Sequence, residues 1–148
     1  MFNLNNRGQS LVLFVIFLPI VLLILMLVID VIGLRVLKQE LDNINQIVLD
    51  YGLDELSKIE NENMDRESIE KKIVDLVKLN KEDIDTISVI IENDKIYIDL
   101  VDNEKGLLIG KTKKTLFNVK SSYVGYFALG EKRIENCGWV MIWVLLEK

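Results

Sequence analysis

"RGQSLVLFVIFLPIVLLILMLVIDVIGLRVLKQELDNINQIVLDYG", residues 7–52, decides the architecture. No charged side chain occurs between Arg7 and Asp30, and Leu11–Ile29 is 19 residues of almost pure Leu, Ile, Val and Phe. As a helix this run is ~28 Å long, close to the hydrocarbon thickness of a bilayer. A secretion signal has a shorter apolar core followed by small residues at a cleavage site. Here Asp30, Val31, Ile32 and Gly33 follow instead. A core helix that is apolar on every side would need more surrounding chain than the remaining residues supply. The expectation is a retained transmembrane helix over 9–33, with the lipid bilayer as its first partner. Pro19, in mid-run, removes one backbone donor and frees the carbonyl of Val15. Neighbouring protein can re-satisfy that carbonyl inside a membrane.

Past Asp30 the apolar residues thin out but keep a beat. Leu34, Leu37, Leu41, Ile44, Val48 and Tyr51 are spaced 3, 4, 3, 4, 3, which places them on one helical face. Arg35, Lys38, Glu40, Asp42 and Asp50 fall off that seam and read as wet. The same helix therefore continues into an amphipathic segment, 34–53, with Tyr51 as its last helical residue and Gly52 just past the helix end. Its apolar face must lie on something. Leu34, Leu37, Leu41, Ile44 and Val48 are expected to dock on a sheet formed by residues 54–148; a coiled coil with a second copy is the competing arrangement.

The chain has 148 residues, room for one domain beside one membrane segment. Residues 54–65, "DELSKIENENMD", read as a polar loop. "RESIEKKIVDLVKLN" predicts a helix over 66–79, capped by Asp65 or Ser68, with Ile69, Ile73, Leu76 and Val77 on its apolar face. "TISVIIENDKIYIDLV" alternates with period two on either side of Asn93-Asp94, the pattern of a tight hairpin. Residues 115–128 are β-branched and aromatic, with Phe117, Val119, Ser121 and Tyr123 on one side. "RIEN" returns as a short strand after the turn "LGEK". The apolar ending "CGWVMIWVLLEK" is too short for a spanning helix and reads as a last strand, with an interfacial segment carrying Trp139 and Trp143 at the headgroups, or a disordered apolar tail, as the alternatives. The fold class is α+β: a long N-terminal helix whose second half packs on a small antiparallel sheet.

Composition excludes several chemistries. Net charge is -5 without a dense basic cluster, which argues against nucleic acid as a partner. Histidine is absent, so Ser-His and Cys-His nucleophile pairs and His-ligated metals are excluded. The single cysteine, Cys137, has no partner within the chain. Carboxylates such as Asp83, Asp85, Asp99 and Asp102 would be the candidates for catalysis in a membrane-tethered enzyme. They lack a Gly-rich loop, a metal motif or a nucleophile elbow beside them and read as solvated surface. No enzyme, metal or cofactor is expected.

Arg7-Gly8 followed at once by the apolar helix, with Val12, Phe14 and Pro19 inside it, resembles the start of type IV pilin superfamily proteins. Within that superfamily it resembles the TadE-like pseudopilins of tight-adherence (Flp-type) pilus systems. The resemblance covers about residues 7–35. It implies a pilin-like fold, a leader of residues 1–8 cut between Gly8 and Gln9 by a prepilin peptidase, and helix packing through Phe14 and Pro19. It also implies other pilin-like subunits and the pilus assembly machinery as partners, a cytoplasmic N-terminus, and a C-terminal domain outside the cell membrane. Leu13 stands where the family carries a glutamate, which offsets the ammonium of a neighbouring subunit's new N-terminus. On this resemblance the chain is a minor pilin-like subunit or assembly factor. A single-pass, signal-anchored binding or sensor domain is the alternative.

Overall fold

A computed structural model describes residues 6–58, 65–92, 94–103, 117–138 and 141–143. Side chains are described for 12–58, 65–92, 94–103 and 118–138. The fold is α+β: α1 (Asn6–Lys58), α2 (Arg66–Asn80), then β1 (Thr86–Glu92), β2 (Lys95–Asn103), β3 (Phe117–Ala128), β4 (Glu131–Asn136) and the short β5 (Met141–Trp143).

The 53 residues of α1 form one helix, ~80 Å long at ~1.5 Å per residue. It is long and apolar enough to cross a membrane. It runs through Pro19 without interruption. From Val12 to Ile32 every residue except Asp30 is exposed; Asp30 is the first buried position among the described side chains of the helix. From there one face is covered, through Leu37, Leu41, Ile44, Val48, Leu49, Leu53 and Leu56.

The far end of α1 departs from the sequence expectation in two ways. Tyr51, expected on the seam, is exposed, and the buried face passes instead to Leu49, Leu53 and Leu56. A helix has 3.6 residues per turn, so a 3-4 beat drifts around it by ~20° each heptad. The buried stripe drifts with it. Gly52 does not end the helix, which runs on to Lys58 through the first part of the expected loop. It is buried, and a Cβ there would lie 2.9 Å from Ile73 Cδ1 and 3.0 Å from Ile96 Cδ1. Gly52 is thus the point where α1 comes close enough to touch α2 and β2 together.

Ile69, Ile73 and Val77 of α2 are fully buried beside α1. Asp65 occupies the N-cap position but makes no side-chain capping bond. The Ser68 N–H bonds the Asp65 carbonyl instead, at 3.0 Å. In the sheet the order is β1-β2-β3-β4, all antiparallel, and β5 pairs with β3. β4 covers Tyr123–Ala128 of β3, and β5 covers Phe117–Val119 along the same strand. The β1–β2 register pairs Ile87 with Leu100, Val89 with Ile98 and Ile91 with Ile96, so these six share one face. That face, with Val119 and Tyr123 of β3, meets α1 and α2 in a single core. Of the expected last strand, Met141–Trp143 is described as β5; residues 139–140 and 144–148, like 59–64 of the expected loop, lie outside the described residues.

Candidate assembly surface and its clasp

Two parts of α1 bear on function: a bare apolar shaft and the stretch gripped by the sheet. On the shaft, Phe14 is 65% exposed and Pro19 is exposed as well. Among the described residues nothing of this chain covers them. Gly8 and Gln9 fall in the first turns of α1, and their side chains lie outside the described residues. In the gripped stretch Leu37, Leu41, Ile44 and Val48 are buried in the core, and Leu34 is half-buried at its margin. Each fully buried Leu or Ile contributes about 1.5–3 kcal/mol.

The sequence reading missed a polar seam beside this apolar one. Asn45 is fully buried and donates through Nδ2 to the Ser121 carbonyl (3.2 Å) and to Ser121 Oγ (2.7 Å). Ser121 Oγ, also fully buried, donates to Asp42 Oδ1 at 2.6 Å. Asp42 is in turn ion-paired with Lys38 one helical turn back. The Lys38 ammonium lies 5.9 Å from the centre of the Tyr123 ring, within cation–π range. Lys38 and Asp42 read as wet because they lie off the apolar seam. Their burial depends on Ser121 and Tyr123 arriving from a strand some 80 residues away, which local spacing cannot register.

Three more contacts tie other elements to α1. Lys81, just past α2, pairs with Glu40 of α1 at 3.0 Å and with Asp102 of β2 at 2.9 Å. Its burial disfavours the charge, but the hydrogen bonds it donates to these two carboxylates outweigh that and raise its pKa. Glu55 of α1 accepts from Lys58 (2.9 Å) and from Lys72 of α2 (3.0 Å), which together hold its pKa below the usual value. Lys132 of β4 reaches Asp50 and Asp54, each at 2.7 Å, and its pKa is raised by them. Elements α2, β2, β3 and β4 are all bonded, directly or through Lys81, to the second half of α1.

The four carboxylates considered for catalysis do not converge. Asp83 is exposed, and Asp85 is bonded by Asn103. Asp99 pairs with Lys120 at 2.9 Å. Asp102 corrects the sequence reading: it is 6% exposed, not solvated. Period two puts it on the face of Ile96, Ile98 and Leu100, opposite to that of Asp99, and Lys81 covers it there. Among the described residues no group of three or more Asp, Glu or Cys is placed to hold a metal ion. Cys137 is exposed; partial burial and the nearby Asp99 and Glu135 raise its thiol pKa. No family model, curated protein or solved structure matches the chain.

Proposed function

We propose that the protein is a membrane-anchored, pseudopilin-like subunit or assembly factor of a Tad or type IV-type pilus or secretion machine. One observation carries this reading. A single unbroken helix presents bare apolar surface over Val12–Ile32 and is gripped by its own sheet domain from Asp30 onward. Such a molecule delivers its outer domain as a body fixed to the rod, and lateral packing of the shaft in the membrane assembles it. In this reading the Arg7-Gly8 pair ahead of the shaft is the processing site, and the resemblance to pseudopilins implies a cytoplasmic N-terminus and a sheet domain outside. A prepilin peptidase, other pilin-like subunits and the assembly machinery are then its partners. Its task is packing rather than turnover of a substrate.

The test is co-expression with a prepilin peptidase followed by intact-mass measurement. The expected product lacks residues 1–8 and begins at Gln9. A chain that keeps Met1 under those conditions removes the processing claim and leaves the second reading, a signal-anchored binding or sensor domain. Leu13 favours that second reading: it leaves the ammonium on Gln9 without a neighbouring carboxylate in hydrocarbon, where an unpaired charge is costly.

A further inference from the structure

The sheet has two edges, and they are built differently. β4, on one edge, reads "EKRIEN", with charged side chains at Glu131, Lys132, Arg133 and Glu135. Charges of this kind guard an edge against pairing with other chains. β1, on the other, reads "TISVIIE": no proline, no lysine, and one charge at its very end. Its backbone groups can be assigned from the register. The hairpin closes on Glu92 and Lys95 across two residues, so that pair exchanges ladder bonds. Ser88 and Ile90 then bond to β2 as well, while the N–H and C=O of Ile87, Val89 and Ile91 point away from it. Among the described residues none of these six groups has a partner. Beside them Ile87 and Val89 are only half-buried at the core's margin, and Ile90 is 48% exposed on the outer face.

An open sheet edge specifies its occupant more closely than an apolar patch does, because the row of donors and acceptors fits only extended backbone. A second copy of this chain joined antiparallel, β1 to β1, would be related by a two-fold axis normal to the sheet. Since α1 lies along the sheet face, that axis would reverse the direction of α1, and both shafts could not enter one bilayer from the same side. This exclusion rests on the anchoring proposed above; the strand edge itself does not. We infer that β1 is a strand-addition site for an extended, uncharged segment of another polypeptide. That segment would carry apolar residues at alternate positions to cover Ile87 and Val89.

The probe is a synthetic peptide with the sequence of residues 86–92, flanked by lysines for solubility and added to the full-length protein in detergent micelles. In the free protein the amides of Ile87, Val89 and Ile91 are expected to exchange with solvent quickly, while those of Ser88 and Ile90 are protected. The peptide should slow the first three by about tenfold or more. Val89→Pro deletes one outward N–H without touching the ladder to β2 and should weaken peptide binding. If that variant unfolds, Ile90→Lys, a charge on the exposed face of the edge, should weaken it instead. Outward amides already protected in the free protein overturn the proposal, as does peptide binding that ignores both substitutions. With Cys137 replaced by serine, a disulfide-linked dimer of Val89→Cys in membranes would show pairing of copies and overturn it too. None of these readouts depends on cleavage after Gly8, so the strand site and the pilus reading fail separately.

Discussion

Asn45 is a polar residue with no access to solvent, held between a helix and a strand. Its amide donates twice to Ser121, and its own Oδ1 has no partner among the described residues. A leucine of similar shape would fill the same volume without any polar cost. What asparagine supplies is selectivity: only one rotation and one slide of α1 on the sheet places Nδ2 against Ser121 and Asp42 against Ser121 Oγ. The apolar residues alone would tolerate neighbouring settings. Asn45→Ala should destabilise the sheet domain by about 1–3 kcal/mol, since it leaves buried groups without their partner. A double-mutant cycle with Ser121→Ala, read from urea unfolding in micelles, should give a coupling of about 0.5–3 kcal/mol. Additive effects would mean that the two side chains act independently and that the seam does not set the register. None of this was legible beforehand. Asn45 lies in the sequence as an ordinary helix-surface residue, and its partner belongs to a strand whose alternation marks a face but names no contact.

Between elements, legibility followed the range of the interaction. The apolar beat of α1 and the alternation of β1 and β2 are local, and the helix, the hairpin and its register were readable from them. Gly52 was misread because a glycine after an amphipathic run has two explanations, an end or a close approach. Choosing between them needs Ile73 and Ile96 in place. The ion pairs that strap α2 and β4 to α1 are long-range and were likewise invisible. Their pH behaviour follows from the pKa directions. Glu55 is held below its ordinary 4.5 by Lys58 and Lys72. Its contribution to stability is therefore present above that value and is lost as pH falls through the lowered one. Lys132 is raised above 10.5 by Asp50 and Asp54, so its contribution is present below that value and is lost as pH climbs past it. Glu55→Gln should lower the urea midpoint at neutral pH, and the gap from wild type should close in acid. A gap that stays constant with pH would mean that Lys58 and Lys72 gain nothing from the carboxylate charge. The effect is expected to be small, because Lys58 and Lys72 are well exposed to solvent although Glu55 itself is buried.

At the scale of the whole molecule, the shaft presents a problem that only its surroundings can solve. Val12–Ile32 is a cylinder ~31 Å long and ~10 Å across, with a lateral surface of roughly 1,000 Å². Apart from Asp30 it is exposed on every side. The largest apolar patch on a typical soluble monomer is about 300–600 Å², so this surface is not one that water leaves bare. Covering by protein would ask for partners on all sides of the helix, whereas a bilayer core of ~30 Å matches its length without any partner. The burial that starts at Asp30 fits the same placement: the sheet domain grips α1 where the apolar shaft ends. Vesicles carrying the full-length protein should keep it through an alkaline carbonate wash. Replacing Leu22 and Leu25 with arginine puts two charges near the middle of the shaft, each opposing insertion by about 2.5–3.5 kcal/mol. That variant should move largely to the supernatant while its sheet domain stays folded. Release of the unmodified protein by carbonate would mean that other protein, not lipid, covers the shaft, and the proposal of a membrane-assembled subunit would fall with it.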